Sequence, residues 1–444
     1  MDLSALEGRR VALLGAGIDV TALLGALRDV GAREIVAFDD AADLREDAVA
    51  GLAALGAVVR PTSELAARAS AGSLDVIVRS PGFNRYRPEL VSFIERGSMT
   101  TPIDLWLGTY GSSHHVTIVT GTKGKSTTTT CLAVLLRAVS VGGAAPIVMG
   151  NIGVPAWSIP AEDATSDRPI VCELSSFQAS DTSYVADLAI VTSLGVDHVD
   201  WHGTVERYHA DKLGPVRRAR SVIGCDSDTQ VRALLAEIGG TPVGVAALLE
   251  GRGAALEAFF GSLPAHLAAN FSLAVAAAEQ IASGRIDDRT VLDALASVEP
   301  LPGRQRTVGI VRGVEAVDNA LASNPLATAA GLASYPGRHV WLILGGADRG
   351  VPLDPILEAL RRRDADSVTL IGIPHTGAAL CEALAGEPAV RTTFVAESID
   401  AAVDLVAPVS VHDVVLFSPS APTPPELGTW VDRSAAFVAA VDRA

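Results

Sequence analysis

Short apolar runs rich in β-branched residues alternate with amphipathic stretches through the chain. RRVALLGAG and EIVAFDD flank VTALLGALRDVGA, and LDVIVRSPG follows, each apolar run stopping at a turn. Runs of that length read as buried strands, and the stretch between the first two reads as a helix. From residue 116 the pattern restarts with VTIVT, continues through PIVCELSSF and DLAIVTSLGVDH, and closes on the helical HLAANFSLAVAAAEQIA. SVEPLPGRQR, residues 297–306, interrupts it with two prolines and a glycine and reads as a linker near residue 302. A third series follows with GVEAVDNA, HVWLILGGADRG, SVTLIG and DVVLFSPSAP. Strands alternating with helices predict parallel sheets whose ligands collect at the carboxyl ends of the strands. The expected class is therefore α/β, with three domains at 1–107, 108–302 and 303–444. No internal repeat is visible.

Size and charge narrow the possibilities. The 444 residues fit about three domains of ordinary size. With 49% hydrophobic and 19% charged residues, the chain has material for well-formed cores. A net charge of −16 argues against nucleic acid as a partner, while leaving room for a small anion held by local lysines, arginines and backbone N–H groups. Cys131, Cys172, Cys225 and Cys381 lack metal-ligand spacing, and the expected compartment is the reducing cytoplasm. The start, MDLSALEGRRVALLGAG, reads as a short helix, a strand and a glycine turn and lacks a signal-peptide pattern. No apolar run is long enough to cross a bilayer, so no membrane association is expected.

Chemistry concentrates at VTIVTGTKGKSTTTTCLAVLL, residues 116–136. A strand runs into a Gly-Lys-Ser turn that opens a helix, the layout of a phosphate cradle. The usual G-x-x-x-x-G-K-[ST] spacing would put glycine where Val119 stands, so the loop Gly121-Thr122-Lys123-Gly124-Lys125-Ser126 is a trimmed form. Gly121 and Gly124 let backbone approach phosphate oxygens, Lys125 meets the β/γ-phosphates and the Ser126 hydroxyl reaches a magnesium ion. Glu173 ends the strand PIVCE, and Asp197-His198 is read as ending the strand AIVTSLGV. A carboxylate and an imidazole delivered there by neighbouring strands would complete the coordination of cations bridging ATP phosphates. For His198 alone, an ordinary surface or core histidine is the competing account.

GTKGKST, GNIG (150–153), ELSSFQ (173–178), DHVDWHG (197–203) and YHADKLG (208–214) together resemble the central domain of the Mur ligases, the ATP-dependent amide ligases of peptidoglycan precursor synthesis. SPG (80–82), LPGRQR, VDNALASNP (317–325), LGGADRG and SPSAPTPPELGTW (418–430) extend the resemblance over the whole chain. Within the family the chain looks most like the members adding glutamate to UDP-N-acetylmuramoyl-L-alanine. The resemblance implies a Rossmann-like first domain binding the UDP-sugar, a central P-loop-type parallel sheet binding ATP, and a Rossmann-like third domain binding the amino acid. It also implies formation of an acyl phosphate on the acceptor carboxylate, attacked by the incoming amine. Two magnesium ions are implied, one held by Ser126 and Glu173 and the other by His198. Lys212 matches a lysine that related enzymes carbamylate with CO2, which turns an ammonium into a carboxylate-like metal partner. An exposed helix lysine is the alternative for that residue.

Further positions carry over by resemblance. Thr122, Lys123 and Thr127 complete the ATP-binding loop, and Asn270 matches an adenine-contacting asparagine, although Leu267 replaces the asparagine that often follows His266. Arg304 matches an arginine that swings onto the ATP phosphates as the third domain closes, and Asn319 stands where relatives have aspartate. Gly17, Asp39, Ser80, Gly82 and Asn151 are the expected UDP-sugar contacts, with Arg85 and Arg87 either adding charge there or lying on the solvated surface. GAGIDV has Val20 at the third glycine of a dinucleotide fingerprint, which disfavours a nicotinamide site. In the third domain Leu321, Ser323, Thr423 and Trp430 are the expected amino-acid contacts, the last two in the final loop. D-glutamate-adding relatives carry lysine at the place of Leu321, where it would pair with a substrate carboxylate. Together with GTKGKST and SPGFNRYRP, this change resembles a sister group that adds L-glutamate and leaves inversion to a separate epimerase. L-glutamate is therefore favoured over D-glutamate or another amino acid, in a monomeric enzyme. A folylpolyglutamate-like ligase, a Mur-like ligase acting on another acceptor and a catalytically dead nucleotide-binding protein are the competing accounts.

Overall fold

The computed structural model describes residues 1–15, 17–39, 52–54, 56–139, 145–152, 154–298, 302–348, 351–408 and 410–444. Of the motifs above, Ala16, Gly153, Leu301, Arg349 and Gly350 lie outside the described residues, as do residues 299–300 of the linker. The chain divides into two compact units, Met1–Val298 and Glu299–Ala444.

The first unit holds two parallel sheets. In one, β1 (Arg10–Leu14), β2 (Glu34–Phe38), β3 (Val58–Arg60), β4 (Val76–Arg79) and β5 (Met99–Thr100) lie in the order β3-β2-β1-β4-β5. The order reverses direction between β1 and β4, and such a switch point leaves a crevice at the carboxyl edge. In the other, β6 (Val116–Thr120), β7 (Ile147–Gly150), β8 (Ile170–Glu173), β9 (Leu188–Val191), β10 (Ser221–Cys225) and β11 (Thr241–Val243) lie in the order β11-β10-β9-β6-β8-β7. Every residue of β6, β8 and β9 is buried, because helices cover both faces of a parallel sheet. Residue 107, taken as the end of a domain, lies inside the helix Pro102–Tyr110, whose Ile103, Trp106 and Leu107 pack with Val116 and Ile118 of the second sheet.

A buried charge network ties the loop after β4 to the second sheet. Arg79 is fully buried. Its guanidinium donates to the carbonyl oxygens of Ser80, Pro81, Phe83 and Phe177, and to Asp181 at 2.7 Å. Arg85 pairs with the same Asp181 at 2.9 Å and lies 3.6 Å from Asp211. Asp211 also accepts from Tyr86 and meets Nδ1 of the fully buried His202 at 2.6 Å. Arg85 is therefore committed to this network, and Arg87 to Glu89 at 2.6 Å.

The second unit contains one mixed sheet. β12 (Arg306–Val311), β13 (Val314–Asp318), β14 (Val340–Leu344), β15 (Val368–Gly372), β16 (Val390–Val395) and β17 (Val414–Phe417) lie in the order β12-β13-β17-β14-β15-β16. β12 runs antiparallel to β13 in a hairpin, an element absent from the sequence reading. β12 alternates too weakly, with mostly partly exposed residues, to stand out as a strand.

Candidate active site

The trimmed loop sits at the carboxyl end of β6, the central position of its sheet. Gly121 has φ +144° and Gly124 φ +88°, both outside the range that other residues adopt readily. Space is also closed to a side chain: a Cβ on Gly121 would meet the Thr192 hydroxyl, and one on Gly124 would meet Oδ1 of Asn270. The Lys125–Ala138 helix begins directly after Gly124, with Ser126 buried and Thr127 half-buried in its first turn. Residues after β9 brace the loop from beneath. The Thr122 N–H donates to the Ser193 carbonyl at 2.8 Å, and the Lys123 N–H to the Ser193 hydroxyl at 2.8 Å. The Thr122 hydroxyl meets the Tyr208 hydroxyl at 3.0 Å.

Around this loop the structure gathers Lys125, Glu173 and Lys212. Glu173 is fully buried and pairs in register with Val119 on one side and Gly150 on the other. Its Oε1 accepts from the Asn151 amide at 2.8 Å, while Oε2 is buried with no hydrogen-bond partner among the described residues. A buried carboxylate oxygen left in that state is unfavourable unless something charged or donating meets it. Asn151, expected among the UDP-sugar contacts, is the residue whose amide meets this carboxylate.

Lys212 is not an exposed helix lysine. It lies on the buried side of Val205–Arg218, 2% exposed, with Nζ donating to the Gly121 carbonyl at 2.9 Å and lying 4.9 Å from the Tyr208 ring. Burial, then the nearby Lys125 and Lys123, push its pKa well below the usual lysine range against the opposing pull of Asp197 and Glu173. Lys125 folds over the same loop, donating to the carbonyls of Gly121 at 3.0 Å and Thr122 at 3.2 Å.

Asp197 and His198 do not end a strand. β9 stops at Val191, and a loop carries the chain from Thr192 to His198, which caps Val199–His202 in a left-handed conformation at φ +51°. That loop braces the phosphate turn, which requires it to leave the sheet early. The His198 ring lies 4.7 Å from Phe177 of the ELSSFQ segment, and Asp197 lies 3.4 Å from Lys123. Burial pushes the Asp197 carboxyl up, but Lys123, His198 and Lys125 together outweigh it and hold the group below its ordinary value. Asn270 lies buried against Gly124, on the helix Ala265–Ile281.

At the first sheet, Gly15, Gly17, Asp39 and Ser80 collect at the carboxyl edge. The Gly15 N–H donates to the Phe38 carbonyl at 2.9 Å, Ser80 to Leu14 at 2.8 Å, and Asp39 to Arg60 at 3.1 Å. Gly82 is exposed, and its carbonyl accepts from the Trp201 indole at 3.4 Å.

In the second unit, Gly303 next to Arg304 donates to Asp318 at 3.0 Å and accepts from the Leu321 N–H at 3.0 Å. Trp430 begins the helix Trp430–Arg443 rather than lying in a loop, and packs on Gly303. Asn319 is buried with its amide on Ser418 at 3.0 Å, and Asp318 accepts from Ser434 at 2.6 Å, so both serve the interior of this unit. Leu321 and Ser323 are half-buried. The Thr423 hydroxyl is buried without a partner among the described residues. The residues that sequence reasoning passed over are Arg79, His202, Asp211 and Ser420; all four lie within quoted stretches, His202 in DHVDWHG and Asp211 in YHADKLG of the central domain, but none was singled out.

Two family models match, the Mur ligase middle domain over residues 119–243 and the Mur ligase glutamate ligase domain over 303–421. The UDP-N-acetylmuramoyl-L-alanine–L-glutamate ligase of Salinispora tropica is 32% identical, over 99% of each chain. The chain belongs to the Mur ligase family. As a Mur ligase it is an ATP-dependent enzyme that forms an amide bond. A UDP-N-acetylmuramoylalanine–D-glutamate ligase of Nocardia farcinica is 29% identical, over 99% of this chain and 97% of that one. The crystal structure of the UDP-N-acetylmuramate–alanine ligase of Thermotoga maritima has the same fold, with a TM-score of 0.53, 16% identity, and 98% and 99% of the two chains covered. No helix among the described residues is long and apolar enough to cross a membrane.

Magnesium suits the residues found around the loop. Among the described residues no three His, Cys, Asp or Glu side chains form a metal cluster. Mg²⁺ ordinarily takes one or two carboxylates and fills its remaining positions with water and substrate phosphates. The Oε2 of Glu173, buried with no hydrogen-bond partner among the described residues, suits such a position.

Proposed function

We propose that this Mur ligase joins L-glutamate to UDP-N-acetylmuramoyl-L-alanine in peptidoglycan precursor synthesis. The carboxyl edge of the first sheet would take the UDP-sugar, that of the second ATP, and that of the third unit the amino acid, with domains at 1–107, 108–302 and 303–444. One observation carries the ligase chemistry: the buried, partnerless oxygen of Glu173 beside a loop crowded by lysines. A carboxylate does not react with an amine at neutral pH. Transfer of the γ-phosphoryl group to the acceptor carboxylate makes an acyl phosphate, the amine attacks its carbonyl carbon, and phosphate leaves with the C–O bond electrons. Lys125 offsets charge on the phosphoryl oxygens. Ser126, Glu173 and His198 would hold magnesium, which when bound withdraws charge from those same oxygens.

Lys212 would act as a carbamate. Its buried setting favours the neutral amine, and that is the form that adds to CO2, making an N–C bond and releasing one proton to solvent. The product is an anion, which the neighbouring Lys125 and Lys123 accommodate better than a third ammonium.

L-glutamate is favoured because Leu321 stands in place of the lysine of D-glutamate-adding relatives, and because the Salinispora relative is named for the L-enantiomer. A separate epimerase would then supply inversion. The Nocardia relative, named for D-glutamate, is the reason to keep the other enantiomer as the second reading. Phosphate release with ATP, UDP-N-acetylmuramoyl-L-alanine and each enantiomer separately tests this. Turnover with L-glutamate is expected, and turnover with D-glutamate alone overturns the assignment.

A further inference from the structure

The second unit has a small cleft at the carboxyl edge of its sheet, lined among others by Ser323, Asp348, Leu353, Thr376 and Ser420. Three helices start at it. Ser323 and Pro325 belong to the start of Pro325–Ala333, Leu353 precedes Asp354–Arg361, and Thr376 precedes Gly377–Leu384. The last two helices have no side-chain cap. Helix starts present N–H groups and the positive end of the dipole, so they favour an anion. Among the described lining residues none is cationic, and Asp348 adds a negative charge at one side.

Ser420 supplies the independent observation. It is 6% exposed, and its hydroxyl is buried with no hydrogen-bond partner among the described residues. Its backbone is left-handed, with φ +62°, a conformation that serine adopts at a cost. The strained turn is held in place from behind, where the buried Arg433 donates to the carbonyls of Ala421 at 3.0 Å and Ala320 at 2.8 Å. A desolvated donor on a strained, externally fixed turn is unfavourable in the empty protein, and a ligand acceptor repays it. The Thr376 hydroxyl, in contrast, is used up in holding Gly346, accepting from its N–H at 3.1 Å and donating to its carbonyl at 2.9 Å.

We propose that Ser420 is a binding residue for the amino-acid substrate, its hydroxyl and the surrounding helix starts gripping a substrate carboxylate, while Asp348 faces the amino group. This rests on the glutamate-ligase reading and explains how Leu321 can stand where relatives carry a cation. Steady-state kinetics on the full-length enzyme test it. Ser420→Ala is expected to raise KM for glutamate about 10- to 100-fold, the usual effect of losing a hydrogen bond to a charged group, with KM for ATP and for the nucleotide-sugar acceptor unchanged. Ser420→Gly removes the hydroxyl and relaxes the turn, so it keeps the test alive if the alanine variant folds poorly, and the same rise is expected. A KM for glutamate within about twofold of wild type in a folded variant overturns the proposal. If the wild-type enzyme turns over with neither glutamate enantiomer, the function reading fails instead. The same comparison is then made with whichever amino acid supports turnover, since every amino acid brings a carboxylate.

Discussion

At the carboxyl edge of the central sheet, Lys123, Lys125 and Lys212 surround a loop that two glycines keep open, and the nearby acid Glu173 is buried with one oxygen unmatched. At the carboxyl edge of the third sheet, the cleft is lined among the described residues by hydroxyls, helix starts, apolar side chains and one carboxylate. Both edges occupy the place where open α/β sheets take ligands. Both also keep a buried polar atom with no hydrogen-bond partner among the described residues. They differ in how positive character is supplied. The central edge uses side-chain charge, which suits a polyanion such as a nucleotide phosphate chain. The third edge uses fixed backbone dipoles, which suit a small substrate that must be held in one orientation. The backbone of a helix start costs little to pre-organise, whereas clustered lysines strain one another, and burial together with Lys125 and Lys123 pushes Lys212 towards its neutral form.

That strain makes Lys212 the place to break the comparison first. Lys212→Ala is expected to abolish phosphate release, with bicarbonate restoring part of it by placing an anion in the vacated space; full activity in the variant rejects the role. Stability should move the other way. Because the folded-state pKa of Lys212 lies below its unfolded value, the unfolded chain binds the extra proton, and wild-type stability rises with pH towards about 10.4. Lys212→Met lacks that slope. In CO2-free buffer it should melt above wild type at pH 7, and the gap should close as the pH approaches 10.

Glu173→Gln comes next. It keeps the shape and the bond to Asn151 but removes the anion, so activity should fall on the order of 10³-fold. The melting temperature should hold or rise, because a buried unmatched carboxylate oxygen is removed. A variant that loses stability together with activity would mean that Glu173 is a structural acid, and the two sheet edges would then no longer be comparable.

The difference between the edges also shows how far the sequence could be read. The phosphate turn and Glu173 were legible because strand period, glycine and lysine fall at adjacent positions, and local chemistry reports them. The burial of Lys212 was not, since a helix lysine looks alike whichever face it occupies, and only the fold brings Gly121 within 2.9 Å of it. His198 was placed at a strand end because an apolar run gives no sign that its last residues leave the sheet to brace another loop. Arg79 looked like a strand residue before a turn, and its partners lie about a hundred residues away, at Phe177 and Asp181. Ser420 lies in the quoted SPSAP turn, yet nothing singled it out within that turn, because a left-handed serine is written like any other.

The smallest test concerns Asp197, the acid that the central edge tolerates among its lysines. Its folded pKa lies below the ordinary value, so its ionised form stabilises the native state, and that stabilisation is present above the unfolded pKa of about 3.9 and lost as pH falls through the lower folded value. Asp197 lies 3.4 Å from Lys123 and is only partly shielded from solvent, which limits the contribution to about 1 kcal/mol. Asp197→Asn should therefore be less stable than wild type by about that amount at pH 7, and the gap should shrink as the pH falls through the lowered folded value. Added salt should narrow the gap at pH 7, because the partly exposed pair is screened. A gap that persists at low pH and high salt would mean that the carboxylate is held by shape and hydrogen bonds alone, and that the lysines at this edge are positioned for the nucleotide with no help from the acid beside Lys123.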